Sequence, residues 1–179
     1  MKKKIVSTGL VLVFVGVIST SLVWAQQDKS KRPSPPATAT GKVMGAIITI
    51  NYSSPVVKGR KIWGGLVPYD KVWRAGANEA TIFETDKAIK VEGKSLPAGK
   101  YSLYAIPGEK QWVIILNSKT GQWGINMNGS TTEDPANDVL RVTVKPVKSG
   151  SSNERLKYVV DKGGFALEWE NLTVPVSIK

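Results

Sequence analysis

Apolar and polar residues alternate at every second position through most of this chain after residue 41. In the segment 165–169, for example, Phe165, Leu167 and Trp169 are separated by Ala166 and Glu168. A period of two is typical of β-strands, whose successive side chains point to opposite faces. No apolar stripe at helical spacing extends over ten residues in this part of the chain. We therefore predict an all-β fold built from about eight to ten short strands.

Two neighbouring apolar runs predict the clearest hairpin. Residues 101–106 and 111–117 flank Pro107-Gly108-Glu109-Lys110, a sequence that favours a turn. The run 112–116 is apolar on both faces, which is typical of a central strand. Many short strands separated by turns favour an antiparallel sandwich or a barrel. We predict a single domain, an antiparallel β-sandwich, over residues 42–179.

The first 25 residues have the three-part pattern of a secretory signal peptide. Three lysines at positions 2–4 precede the apolar stretch 5–18, and Ala25 ends a sequence suited to cleavage. We predict cleavage near Gln26, export to the periplasm or beyond, and no transmembrane span after cleavage. The alternative is an uncleaved membrane anchor, because residues 5–25 are long enough to span a bilayer.

Residues 26–41 are predicted to form a disordered, Pro-rich tether. They contain Pro33, Pro35 and Pro36 next to basic residues, followed by a stretch of alanine and threonine. Such a sequence can bury too little apolar surface to offset the entropy of ordering.

The charge of the chain is strongly positive, with 25 Lys and Arg against 14 Asp and Glu. In an exported protein this balance does not favour nucleic acid as a partner. It is compatible with anionic surfaces of the cell envelope, or with a basic surface that has no specific partner.

The absence of cysteine and histidine restricts the chemistry. Disulfides, thiol nucleophiles, histidine-based metal sites and Ser-His-Asp triads are excluded. We predict no catalytic residue, no metal site and no cofactor. The least favoured alternative is a carboxylate-based glycan hydrolase, which would pair Glu79 with Glu84, Glu168 or Glu170.

An acidic segment after residue 132 offers oxygen atoms that calcium could accept. Glu133, Asp134, Asn137 and Asp138 do not have the spacing of a calcium-binding loop of the EF-hand type. A solvated acidic loop is the favoured interpretation.

The segment 58–81 lacks regular alternation and concentrates aromatic and polar residues. In a regular β domain, such an irregular segment is where binding residues tend to lie. Indole faces combined with fixed hydrogen-bonding groups are typical of sites for sugars or small polar ligands. Alternatively, Trp63 and Trp73 close one end of the domain while Arg74 and Glu79 form an ion pair. The candidate binding residues are Trp63, Trp73, Arg74, Asn78 and Glu79.

Several motifs resemble those of an exported bacterial family known as domain of unknown function 2911. They are the run 73–81 (Trp-Arg-Ala-Gly-Ala-Asn-Glu-Ala-Thr), the segments 96–103 and 106–109, the pair Trp123-Gly124, and Asp138 with Arg141. The resemblance covers roughly residues 33–179. It implies an exported β domain and brings no activity, ligand or catalytic residue. Residues 126–135 depart from the family's pattern, and we place no site there.

We predict that this exported domain binds a ligand or partner without catalysis, through residues 63–79. A glycan or an envelope protein is the expected partner. The alternatives are a purely structural or protein-interaction module and the glycan hydrolase. The sequence does not indicate an oligomeric state.

Overall fold

The computed structural model describes residues 28–179, a part of the chain that contains strands and two short 3-10 helices but no α-helix. The predicted signal peptide over residues 1–25 lies outside the described residues. The 3-10 helices are Lys29–Lys31 and Pro135–Asn137, and the strands are β1 (Pro36–Val43), β2 (Ala46–Ser53), β3 (Thr81–Thr85), β4 (Ile89–Val91), β5 (Lys94–Leu96), β6 (Gly99–Ile106), β7 (Trp112–Asn117), β8 (Asp138–Val144), β9 (Val147–Asp161) and β10 (Gly164–Ser177).

Six strands form one antiparallel sheet in the order β1-β2-β3-β6-β7-β8. Strands β9 and β10 form a long antiparallel pair, and β4 pairs with β5. The prediction of an all-β fold is confirmed. The irregular segment 54–80 connects β2 to β3, and this long connection carries most of the candidate site.

The predicted hairpin is present as β6 and β7, with Ser102 opposite Asn117 and Ile106 opposite Val113. Strand β7 lies between β6 and β8. Its residue Trp112 is fully buried. The prediction of a central strand here is confirmed, because a strand with neighbours on both sides and covered faces needs apolar residues throughout.

The tether predicted over residues 26–41 is wrong for residues 36–41. They belong to β1, which pairs along its whole length with β2, from Pro36 opposite Ser53 to Val43 opposite Ala46. Small residues such as Ala37 and Ala39 pack against the core, and Gly41 lies against Val160 of β9. The small side chains of residues 36–41 suit a strand in a narrow space. Backbone hydrogen bonds to β2 stabilise this strand, because its side chains bury too little apolar surface to do so.

The β9–β10 pair contacts the six-stranded sheet through aromatic side chains. The rings of Tyr52 and Tyr158 meet edge to face at 4.8 Å, and those of Phe83 and Phe165 lie 5.5 Å apart. These contacts belong to one large apolar core that extends from β1 to β10. Edge-to-face aromatic pairs contribute beyond the burial of their area.

Within residues 28–179, no helix has the length and apolar character needed to cross a membrane.

Candidate functional site

Four tryptophans from distant parts of the chain form one cluster at the base of the irregular segment. The ring of Trp63 lies 5.9 Å from that of Trp73, 4.9 Å from that of Trp112 and 5.7 Å from that of Trp169, each in edge contact. Trp73 and Trp169 are stacked at 6.0 Å. Trp63, Trp112 and Trp169 are buried, whereas Trp73 is only partly buried. The cluster therefore presents one ring, that of Trp73, toward the surface.

The main chain holds Trp73 rigidly beside β6. Trp73 and Ala105 exchange two backbone hydrogen bonds, of 2.7 and 2.9 Å, just beyond the point where β3 stops pairing with β6. Two residues later, Ala75 has a φ of +52°, a conformation that costs free energy for a residue other than glycine. Its carbonyl oxygen accepts hydrogen bonds from the hydroxyls of Thr81, at 3.0 Å, and Tyr158, at 2.8 Å. Arg74 is thus fixed between two anchored neighbours.

The side chain of Arg74 packs against Gly124. A Cβ atom placed on Gly124 would lie 2.2 Å from Cδ of Arg74 and 2.9 Å from its Cβ, so only glycine leaves room for the stem. Residues 122–124 run beside 78–80, with the amide of Gly124 donating to the carbonyl of Asn78 at 3.0 Å. Two motifs that are far apart in the sequence, 73–81 and 123–124, therefore meet around one arginine.

A cleft of about 680 Å³ opens beside this arginine. Its volume lies within the usual range for small-molecule sites. Most of its lining comes from the segment 66–78, which includes Trp73, and from residues 125–131, and Trp169 also lines it. The lining residues are Ser34, Pro55, Arg60, Leu66, Val67, Pro68, Lys71, Val72, Trp73, Arg74, Gly76, Ala77, Asn78, Ile125, Gly129, Ser130, Thr131 and Trp169.

The cleft has a positive lining without a compensating acid. Arg60, Lys71 and Arg74 contribute cations, and no Asp or Glu of the described residues lines it. Arg60 donates to the carbonyl oxygens of Val56 and Val57. Within residues 28–179, Arg74 makes neither a hydrogen bond nor an ion pair, and its Nε atom is buried. Burial lowers the pKa of Arg74 from its usual value, and a guanidinium nevertheless stays charged at neutral pH.

The alternative of an ion pair between Arg74 and Glu79 is wrong. Glu79 accepts hydrogen bonds from Lys29, at 2.9 Å, and from Arg32, at 3.0 and 3.1 Å. Burial opposes ionisation of Glu79, but these hydrogen bonds outweigh it and lower its pKa to about 2. The guanidinium of Arg32 also lies 6.0 Å from the ring centre of Trp123. The true partners of Glu79 come from the segment that was predicted to be a tether.

The structure divides the five predicted site residues into three groups. Trp73, Arg74 and Asn78 line the cleft. Trp63 lies behind them in the aromatic cluster, and Glu79 fastens the N-terminal segment. Asn78 also contacts that segment, because its side-chain amide donates to the carbonyl of Ser34 at 2.9 Å.

Sequence analysis missed two parts of the cleft. Arg60 and Lys71 belong to the segment 58–81 and are not among the candidate binding residues, although two further basic residues near Arg74 were a usable signal. The lining residues Ser130 and Thr131 lie in 126–135, where the sequence analysis places no site, and Ile125 just before them is not among its candidates. No signal in the sequence indicated that this loop faces residues 66–78.

The carboxylates required by a glycan hydrolase do not meet in this cleft. Glu84 pairs with Lys100 at 3.1 Å and Glu168 pairs with Lys157 at 2.9 Å, each across neighbouring strands. Among residues 28–179, no group of three or more acidic side chains is arranged to hold a metal ion.

The acidic segment around residue 133 is a closed network. Arg141 donates to Glu133 at 2.7 Å and to Asp138 at 2.5 Å, while Asp138 also accepts from Asn117. Asp134 accepts from the amide of Ala136 and the side chain of Asn137. Burial and the nearby Asp138 raise the pKa of Glu133. These oxygens are occupied by protein donors.

A family model described as "Protein of unknown function (DUF2911)" matches residues 34–178. Neither the curated proteins nor the solved structures gave a match to this chain. The family match begins at Ser34, next to the cleft, and includes every strand from β1 to β10. The chain belongs to the DUF2911 family.

Proposed function

We propose that this protein is an exported β-sandwich domain that binds a small ligand, without catalysis, in the cleft between residues 66–78 and 125–131. The observation that carries the proposal is Arg74. Arg74 lines the cleft and its Nε is buried, yet its side chain has no partner among the described residues. A partly buried charge without a counter-charge lowers stability, and such groups concentrate at functional sites.

The sandwich is the arrangement that best accounts for the core. The β9–β10 pair would cover one face of the six-stranded sheet, as the ring pairs Tyr52–Tyr158 and Phe83–Phe165 suggest. One end of such a sandwich would be closed by the tryptophan cluster, and the cleft would lie above it. Small-angle X-ray scattering of the purified domain would test whether its shape matches two packed layers.

Export is part of the proposal and rests on the sequence of residues 1–25. Cleavage near Gln26 would leave Lys29 and Arg32 in the mature protein, where both pair with Glu79. Mass spectrometry of the protein from the envelope fraction should find a new N-terminus near Gln26. Recovery of the chain with Met1 in the inner membrane would instead indicate an anchor.

A glycan or an envelope protein was the expected partner. The size of the cleft favours a small molecule or a single sugar unit over a protein surface. Trp73 lines it, and two hydrogen bonds between the main chains of Trp73 and Ala105 hold this residue in place. Preformed, largely apolar clefts with a few polar groups are typical of small-ligand sites.

Binding in the cleft can be tested with N-phenyl-1-naphthylamine, an uncharged dye that fluoresces in apolar surroundings. Leu66→Asn removes an exposed apolar side chain that lines the cleft, and Met127→Asn removes one that does not. We expect the Leu66 variant to bind the dye about threefold to tenfold more weakly, since a few buried methylene groups are lost. The Met127 variant should bind as the wild type does.

Equal binding by both variants would place the dye elsewhere on the molecule. No saturable binding by the wild type would contradict the proposed function. Both substituted side chains are exposed, Leu66 at 47% and Met127 completely, so folding should be unaffected.

A further inference from the structure

We infer that the ligand of this cleft is an organic anion, whose oxyanion group binds Arg74 and whose flat body lies on Trp73. The inference rests on the proposed function and specifies its ligand class. Carboxylate, phosphate and sulfate groups share the required chemistry. Aromatic acids and acidic sugars are the two sources of such molecules that fit the volume of the cleft.

The first argument is the balance of charge. Among the residues that the structure describes, three cations line the cleft and no acid does, although Asp and Glu make up 14 of the 179 residues of the chain. Arg60 is partly satisfied by two carbonyl oxygens, and Lys71 is exposed at the rim. Arg74 alone combines partial burial with free donors, so an anion there would gain the most from pairing.

The second argument is the rigidity of the arginine. Its stem fills the space over Gly124, and the carbonyl of the next residue, Ala75, accepts two hydrogen bonds from the core. A guanidinium that is already held in place loses little entropy on binding. Its fork of donors matches the two oxygens of a carboxylate or the face of a phosphate.

The third argument is the flat surface beside the charge. Trp73 is partly buried and stacks on the buried ring of Trp169. Aromatic rings and the apolar faces of sugar rings both pack on such an indole. Leu66, an exposed apolar residue, also lines the cleft.

The test uses competition against N-phenyl-1-naphthylamine bound to the full-length mature domain. 1-Naphthoate and 1-naphthamide have nearly the same shape and differ in charge. We expect naphthoate to displace the dye at a concentration at least about tenfold lower than naphthamide, because hydrogen bonds to charged groups are the stronger ones. In Arg74→Met this advantage should disappear, while displacement by naphthamide stays the same.

Lys61→Met is the matched control, since it removes an exposed cation of the same segment that does not line the cleft. We expect a change below about threefold, because exposed charges are screened by solvent. Methyl β-glucuronide and its uncharged counterpart methyl β-glucoside form the second arm. Preferential competition by the glucuronide would identify acidic sugars as the source, and competition by naphthoate alone would identify aromatic acids.

Two results would overturn the inference while leaving the proposed function intact. One is equal displacement by each acid and its neutral partner. The other is an Arg74→Met variant that loses acid and amide binding to the same degree. If the dye itself does not bind the wild type, the proposed function and this inference are both wrong.

Discussion

Two arginines in this domain have opposite surroundings. Arg141 donates to the carboxylates of Glu133 and Asp138, and these side chains are only 5% and 9% exposed. Arg74 has no partner among residues 28–179, although it is partly buried and its Nε is closed off from solvent. Both lie within the residues that the family model matches. Contacts within the fold explain the position and charge of Arg141, whereas no such contact explains the charge of Arg74.

The difference separates structural from functional polar groups. A buried polar group normally has its partner within the protein, so one without a partner calls for another explanation. Around residue 133 the carboxylates of Glu133, Asp134 and Asp138 all have donors inside the network, and Arg141 is paired with two of them. The stem of Arg74, in contrast, is held by packing, and this unpaired arginine lines a cleft. This is the arrangement expected of a binding group.

The largest effect should follow from breaking the matched network. Arg141→Met leaves two neighbouring carboxylates with little solvent and no counter-charge. We expect a loss of about 3 kcal/mol in the free energy of unfolding, measured by denaturant melts. Adding Glu133→Gln and Asp138→Asn should recover most of this loss. A loss below about 1 kcal/mol for the single variant would remove the contrast between the two arginines.

A smaller loss is expected when the space for Arg74 is filled. Gly124→Ala would place a methyl group 2.2 Å from Cδ of Arg74, so the side chain must move. Overpacking of this kind typically costs about 1–3 kcal/mol. In an Arg74→Ala background the cost should fall, and a double-mutant cycle from thermal melts would measure the coupling. Additive losses would show that Gly124 does not shape this side chain.

The ion pairs of Glu79 should contribute a modest, pH-dependent amount. The folded-state pKa of about 2 lies below the ordinary value of 4.5, so the carboxylate stabilises the fold above pH 4.5 and this contribution is lost as pH falls to 2. Because the side chain is 36% exposed, screening should limit the effect to about 1 kcal/mol or less. Unfolding of Glu79→Gln and wild type should differ at neutral pH and converge near pH 2. A constant difference across this range would contradict the ion-pair role.

The smallest effect should come from Arg74 itself. Arg74→Met keeps an apolar stem over Gly124 and removes a buried donor that has no acceptor. We expect the free energy of unfolding to change by less than about 1 kcal/mol, with a gain in stability as readily as a loss. Denaturant melts beside Arg141→Met give the direct comparison. A loss above about 2 kcal/mol would assign Arg74 a structural role.

The sequence was sufficient for the fold class because alternation is a local property. The run 112–116 is apolar on both faces, and it became an internal strand whose first residue is fully buried. Residues 36–41 were misassigned because composition measures apolar content and does not register pairing. Their order comes from hydrogen bonds to β2 and from the close approach of Gly41 to Val160.

The candidate site was only partly accessible to sequence reasoning. Trp73, Arg74 and Asn78 were found because they are unusual residues in an irregular segment. The partner of Glu79 was misassigned because neighbours in sequence were preferred, whereas Arg32 is 47 residues away. The opposite wall of the cleft, at Ile125 and Thr131, depends on where a loop folds back, and no local pattern encodes that.

The four-tryptophan cluster has an optical consequence. Indoles whose ring centres lie 4.9–6.3 Å apart, in fixed edge and stacked orientations, absorb as a coupled set of chromophores. We expect an intense near-ultraviolet circular dichroism signal that vanishes on unfolding. Since Trp73 belongs both to this set and to the cleft, an occupant of the cleft should alter that signal without any label on the protein. A spectrum unchanged by saturating 1-naphthoate, after subtraction of its own absorption, would show that Trp73 is not in contact with it.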